Sequence, residues 1–482
     1  MLEDLIEKLD RNQEISFSLE SNAAQRKQIL ASIQDYSESF LSKLNDLETY
    51  EDQGYNASEL DQGFQLGEQG ADINNLTSFI NLRVDSLGLN PASAGHIGYI
   101  PGGGIYEAAI GDFLAGVANK YAGVFYASPG AVRMENSLIQ WAGNLIGYQG
   151  NFGGNLSSGG SIANLIAIST ARKAKQIKGK DIDRTVIYTT AQSHHSIQKA
   201  INICGLEECI IRHIALDKFY RMSTEDLELK IEKDKEAGLN SFMIVANAGS
   251  TDVGAIDPLK KIADIAKKYS IWLHVDAAYG GFFMLTEYGK KRMSGIEEAD
   301  SVVLDPHKGL FLPYGTGMVL IKEIKHLLNA NGYQANYMQD TKSHQEEYSP
   351  AELSPELSKH FRGMRMWLPL KLHGLKKFEA CLEEKLGLAA YFNREVQKIG
   401  FETLAEHDLS VVVYRFVPDN QDANKFNKAM SDFVRKDGRI FISTTTLDDK
   451  FMLRVAILSF RTHQREMDIL LQLLEQFVRE NA

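Results

Sequence analysis

A lysine on a turn between two apolar runs, and a carboxylate near the end of a third, are the residues of this chain best able to do chemistry together. Lys308 lies in SVVLDPHKGLFLPYGTGMVL, residues 301–320. Ser301 to Leu304 and Gly317 to Leu320 are short β-rich runs, and Pro306, Gly309, Pro313, Gly315 and Gly317 punctuate the backbone between them. The spacing predicts that Lys308 sits on a tight turn, not on a helix face. Val302, Val303, Leu304, Leu310, Phe311 and Leu312 would strip water from the amine, freeing its lone pair to attack a carbonyl and form a Schiff base. A lone lysine at a loop tip is ordinarily just a solvated charge, so the weight falls on what accompanies it. The run IWLHVDAA, residues 271–278, is an apolar strand interrupted by Asp276, and a buried carboxylate needs a partner. If a heteroaromatic ring hung from Lys308, Asp276 could keep the ring nitrogen protonated, and the ring would then accept the electrons of a bond broken at a substrate's Cα. Without the lysine, a cap or strand-end turn explains the aspartate equally well.

These groups need a scaffold, and the surrounding pattern supplies one. From Thr185 onward apolar β runs alternate with helical segments: TVIYTT, a helix near Ser196 to Cys204, SFMIVAN, a helix near Leu259 to Tyr269, then IWLHVDAA. Strand, helix, strand at these lengths implies right-handed crossovers and a mostly parallel sheet covered on both faces, with ligands at the strand ends. The residues after those strands include Gln192, Ser193, His194 and His195, then Gly249, Ser250 and Thr251. A strand-end imidazole could stack on a flat ring, although a hydrogen-bonded structural role is the commoner one. Upstream, NFGGNLSSGGS at 151–161 opens onto a helix from Ile162 to Lys175, so Gly159, Gly160 and Ser161 are phosphate candidates at a helix N-terminus. The loop fits neither a dinucleotide fingerprint nor a Walker loop.

Composition sets the outer bounds. A chain of 482 residues, 44% hydrophobic and 24% charged, reads as an ordinary globular protein of two or three structural units, with no run suited to a membrane span. Sixty-three acidic against 52 basic residues, without a basic stripe, argue against a nucleic-acid partner. Cys204, Cys209 and Cys381 form no paired framework or CxxC spacing, which points away from structural zinc and toward a reducing compartment, and no metal is expected at the site. The start, MLEDLIEKLDRNQE, lacks the pattern of a secretory signal, and a cytoplasmic location is expected. Residues 1 to about 90 are helical in pattern and charged, an arrangement suited to building a dimer, with Tyr50 to Gly70 as a polar linker. After Trp367 a long helical pattern leads to strands at 410–416 and 450–460, with amphipathic helices at Lys425 to Lys436 and Glu466 to Arg479.

Taken together, HVDAAYGG at 274–281, DPHKG at 305–309, SSGGSIANL at 157–165, QSHHSIQKA at 192–200 and FRGMRMW at 361–367 resemble the pyridoxal-phosphate-dependent group II amino-acid decarboxylases, which include aromatic-L-amino-acid, glutamate, histidine and tyrosine decarboxylases. The resemblance runs from about Gly95 to Arg461. It implies an α/β protein of fold-type I, aspartate aminotransferase-like, with an N-terminal helical segment at 1–94, a large cofactor-binding domain around a mainly parallel sheet at 95–370, and a small C-terminal α/β domain at 371–482. It also implies a homodimer with active sites at the subunit interface, and decarboxylation of an L-amino acid through an external aldimine and a quinonoid. An acidic substrate, an aldehyde synthase, another carbon-carbon lyase or an aminotransferase are the alternatives on the same fold, and a non-catalytic dimeric binding protein is the alternative of another class.

Position by position, the resemblance implies that Lys308 carries pyridoxal phosphate, Asp276 pairs with the pyridine nitrogen and His194 stacks on the ring. Ala278 and Thr251 would line the ring and its hydroxyl side, and Gly160, Ser161 and His307 would serve the phosphate. Tyr348, with Tyr337 in reserve, would return a proton to Cα from the polar stretch at 332–354. Tyr99, Ile100 and Pro101 fall where aromatic decarboxylases place their side-chain pocket. Arg454 matches an arginine expected to meet the substrate carboxylate, with a structural salt bridge as the competing account. Two departures stand out: Ala191 where an acidic residue is common, and Asp305 where Asn is common. Gly102 to Gly104 also differ from the aromatic enzymes and have no role assigned by sequence.

Overall fold

The computed structural model describes residues 2–51, 64–332, 347–404 and 407–482. They fall into two compact units, Met1–Ser93 and Ala94–Ala482. The first holds helices Leu2–Phe17, Ala23–Ser42 and Ile73–Ile80. Asn22 caps the second of these: its Oδ1 accepts the Gln25 N–H and its own N–H donates to Gln25 Oε1, a capping box. Tyr50 and Glu51, at the start of the expected linker, form β1 (Tyr50–Glu51), which pairs antiparallel with β2 (Gly88–Leu89); residues 52–63 lie outside the described residues.

The second unit is built on a seven-stranded sheet. Its strands are β3 (Gly153–Ser157), β4 (Thr185–Thr189), β5 (Ile210–His213), β6 (Asn240–Asn247), β7 (Trp272–Asp276), β8 (Ser301–Leu304) and β9 (Gly317–Ile321). The spatial order is β3-β9-β8-β7-β6-β4-β5. Five neighbours, β8 through β5, run parallel, whereas β9 is antiparallel to both β8 and β3. Apolar side chains alternate to both faces: Val302 and Leu304 enter one core, and Val303, one step out of phase, enters the other. Strand β5 and the helix Thr224–Glu236 that follows it were not anticipated. Both are weak signals, a four-residue edge strand and a helix dominated by charge.

The C-terminal part adds an antiparallel sheet, β10 (Glu402–Thr403), β11 (Val411–Arg415), β12 (Ser443–Leu447) and β13 (Lys450–Ala456), ordered β10-β11-β13-β12. Helices Leu375–Lys398, Ala423–Asp437 and Gln464–Asn481 pack on it around a core that includes Phe392, Tyr414, Leu453 and Leu470. β12 was not expected because its sequence, STTTL, is polar. Among the described residues no helix is long and apolar enough to cross a membrane.

Candidate active site

The carboxyl ends of β6 and β7, and the connections after β4 and β8, meet the opening turn of helix Gly160–Ala174 around a cavity of about 290 Å³. Strand ends in such sheets leave backbone amides and turn residues free to face a ligand. Lys308, Asp276, His194, Ala278, Thr251, Gly160, Ser161 and His307 all line this one cavity. The tight turn expected around Lys308 is a single helical turn, Pro306–Gly309. Pro306 at the first helical position is preorganised for that turn.

Each wall has a local cause. Lys308 Nζ lies 3.0 Å from Asp305 Oδ2, and the lysine side chain keeps 22% of its surface exposed. Asp276, 7% exposed, accepts the Ala278 N–H at Oδ1 (3.1 Å) and the Asn164 Nδ2–H at Oδ2 (3.0 Å). His194 is the N-cap of helix His195–Ile203, and its Nδ1 accepts the Ser196 N–H at 3.2 Å. Burial pushes its imidazole below the ordinary value, with Asp276 pulling the other way. His195 does not line the cavity; its ring centroid lies 4.0 Å from that of His194. His307 donates Nδ1–H to the Thr316 carbonyl at 2.6 Å, which leaves Nε2 facing Asp305 Oδ2 at 3.7 Å. Burial lowers its pKa as well, against Asp305.

Other expected residues lie elsewhere. Arg454, 4% exposed, is not among the cavity walls: Nε donates to the Asp252 carbonyl (2.9 Å), Nη1 to the Tyr99 carbonyl (2.9 Å) and Ser443 Oγ (2.8 Å), and Nη2 to the Thr251 carbonyl (2.6 Å). Burial lowers its pKa. Tyr99 is 60% exposed with φ +54°, and its ring centroid lies 5.7 Å from that of Phe441; Pro101 is buried. Tyr348 lines a second cavity of about 660 Å³ with Arg133, Asn136 and Phe152, and is not brought to Lys308 within its own chain. Tyr337 lies outside the described residues. The glycine run acquires a reason: a Cβ on Gly102 would sit 2.1 Å from the His307 carbonyl oxygen, so this segment packs flush against the lysine turn.

Sequence reading missed Asn164, Ser196 and Asn247, which also line the cavity. The available signal for Asn164 was a solitary amide in the apolar helix SIANLIAI, since a polar group in that setting must have a partner.

The walls fit pyridoxal phosphate. An amine and a carboxylate face the same space. The loop at Gly160 is cut back, since a Cβ there would meet Asp305 Oδ2 at 2.9 Å, and it opens a 15-residue helix whose first amides suit a phosphate.

Comparison with known proteins agrees. The pyridoxal-dependent decarboxylase conserved domain matches residues 94–417. The chain is 32% identical over 408 residues to an aromatic-L-amino-acid decarboxylase of Bacillus atrophaeus, covering 83% of this chain and 85% of that one. It is 28% identical over 376 residues to a phenylacetaldehyde synthase of Arabidopsis thaliana, covering 74% and 76%. The crystal structure of Oryza sativa TDC with PLP and tryptamine superposes with a TM-score of 0.89 at 21% identity, over 95% of this chain and 98% of that one. The domain match and the Bacillus relative, joined to a cavity that unites a lysine, a carboxylate and a glycine-bearing helix terminus, establish that the chain belongs to the pyridoxal-phosphate-dependent amino-acid decarboxylases, a family of lyases.

Proposed function

We propose that this enzyme removes the carboxylate of an aromatic L-amino acid as carbon dioxide and releases the corresponding primary amine. The observation that carries the reading is the convergence of Lys308, Asp276 and His194 on one cavity edged by a glycine-bearing helix terminus. Pyridoxal phosphate, when bound, supplies an electron sink conjugated to the substrate's Cα. Lys308 would hold it covalently and yield its place to the substrate amine. Asp276, fixed through both oxygens, would hold a positive charge on the ring nitrogen. His194 would cover one ring face, and burial favours its neutral form there. Ala278 and Thr251 would border the ring, and Gly160, Ser161 and His307 the phosphate. The walls would hold the scissile carboxylate perpendicular to the ring, the orientation that selects its loss over loss of the Cα proton.

The aromatic preference draws support from the Bacillus relative. We assign proton return to Tyr348, delivered from the neighbouring subunit of a homodimer, because in its own chain it faces a different cavity. The free thiols Cys204, Cys209 and Cys381 suit a reducing compartment, and we place the enzyme in the cytoplasm.

The test is an absorption spectrum with added pyridoxal phosphate, wild type against Lys308→Ala, followed by a carbon-dioxide release screen over the common amino acids. A near-visible band confined to wild type, with gas from tyrosine, tryptophan or dihydroxyphenylalanine, supports the reading. Gas from glutamate or aspartate overturns the aromatic assignment. The Arabidopsis relative favours a second reading, aldehyde synthesis. In that case oxygen is consumed, and aldehyde, ammonia and hydrogen peroxide replace the amine.

A further inference from the structure

Behind the cavity wall runs a buried chain of hydrogen bonds whose direction follows from a donor at one end, an acceptor at the other and a neutral imidazole between them. Trp272, His274 and Asp276 alternate along β7 onto the face covered by helix Gly160–Ala174, and Ser301 of β8 pairs with His274 in register. The indole of Trp272 can only donate, and gives Nε1–H to Ser301 Oγ at 2.9 Å. At the other end, the carboxylate of Asp276 can only accept, so the Asn164 amide must turn its Nδ2 toward it and its Oδ1 away. That oxygen lies 2.9 Å from His274 Nε2, which therefore carries the proton. Burial keeps the imidazole neutral, so its Nδ1 accepts the Ser301 hydroxyl hydrogen at 2.9 Å. Every donor in the series points toward the cavity.

At Asn164 the series divides. Its second Nδ2 hydrogen goes to Ser196 Oγ at 3.0 Å, which lies 2.7 Å from His194 Nδ1. Because Nδ1 already accepts the Ser196 N–H, it has no proton of its own and accepts the hydroxyl hydrogen too, which places the ring proton on Nε2. Asn164, Ser196, His274 and Ser301 are each no more than 2% exposed, so water cannot replace a lost link.

We propose that Asn164 is a positioning residue that sets Asp276 and His194 at once, and that His274, Ser301 and Trp272 lock its amide from behind. The inference rests on the reading of the cavity as a pyridoxal phosphate site in which those two side chains meet the ring. It gives one amide control over both the electron sink's charge partner and its stacking face.

The test titrates apoprotein with pyridoxal phosphate and records the induced circular dichroism of the near-visible band, which reports how the ring is seated. The variants are Asn164→Asp, His274→Leu, His274→Gln and Ser196→Ala, each checked for folding by far-ultraviolet dichroism. Asn164→Asp loses both donors and should weaken cofactor binding roughly 10- to 100-fold, the effect of a lost hydrogen bond to a charged group. His274→Leu should change affinity and dichroism in the same direction, whereas His274→Gln, which can still donate to the amide oxygen, should restore both toward wild type. Ser196→Ala cuts only the branch to His194 and should change the dichroism with little loss of affinity; this mild substitution keeps the test decisive if Asn164→Asp does not fold. Wild-type affinity and dichroism in folded Asn164→Asp and His274→Leu, or an unaltered dichroism in Ser196→Ala, would overturn the proposal. A wild-type protein with no Lys308-dependent band would instead remove the cofactor reading beneath it.

Discussion

Lys308 and Asp305 form an ion pair of 3.0 Å across one helical turn at the edge of the cavity, and the second oxygen of the buried Asp305 has no hydrogen-bond partner. A negative group therefore stands beside Gly160, where a phosphate would dock. Asp305→Asn should tighten pyridoxal phosphate binding by roughly fivefold, the effect of removing about 1 kcal/mol of like-charge repulsion in a partly screened site. Equilibrium titration of the apoprotein measures it. Weaker binding would show instead that the carboxylate's main service is to aim the lysine.

Arg454 offers a choice between two roles that stability and kinetics separate. Four of its five N–H donors go to the Thr251, Asp252 and Tyr99 carbonyls and to Ser443 Oγ. Arg454→Lys cannot span them all and should cost about 3 kcal/mol of stability, the scale for losing one or two hydrogen bonds to a buried charged group. Denaturant midpoints check this. A rise in KM for the amino acid with an unchanged midpoint would instead restore the arginine to the substrate carboxylate.

His274 makes the apoprotein acid-sensitive. Burial holds its pKa at about 4 against an ordinary 6.5, with Asp276 opposing. Between those values the unfolded chain takes up a proton that the folded one refuses. The stabilisation is complete above about pH 6.5 and is lost as pH falls toward 4, amounting to about 3 kcal/mol. Urea unfolding of apoprotein at pH 7, 5.5 and 4.5 should show a shallower decline for His274→Gln than for wild type.

Tyr348→Phe tests proton return. If Tyr348 is the donor, amine formation should fall about 100-fold or more, with aldehyde and hydrogen peroxide appearing in air. Product analysis under air and under nitrogen distinguishes this from simple inactivation.

Gly102→Ala probes the glycine run. A methyl group 2.1 Å from the His307 carbonyl oxygen must displace the backbone that carries Lys308. The Lys308-dependent absorption band should form more slowly and to a smaller extent, while far-ultraviolet dichroism stays close to wild type.

Lys308 and Asp276 were legible because one sits on a turn between two apolar runs and the other interrupts a third, and the glycine loop because small residues precede a helical period. The parallel strands β6 and β7 were legible for the same reason, being buried on both faces. Edge and polar strands such as β5 and β12 lack that contrast. Asn164 escaped notice because its meaning lies across the sheet: only the approach of His274 and Asp276 on β7 turns a helical amide into a junction. The positions of Tyr348 and Arg454 are likewise set by tertiary contacts that spacing does not encode.

The antiparallel insertion of β9 has a kinetic consequence. Pairing of Ser157 with Gly317 joins residues 160 apart in sequence (157 to 317), and brings the glycine loop to the segment that follows Lys308. Closing so long a loop comes at a high entropic cost and belongs to the slow stages of folding. The loop at Gly159 and Gly160 and the turn of Lys308 therefore meet late, and pyridoxal phosphate added during refolding should raise the yield of native protein without accelerating the early collapse.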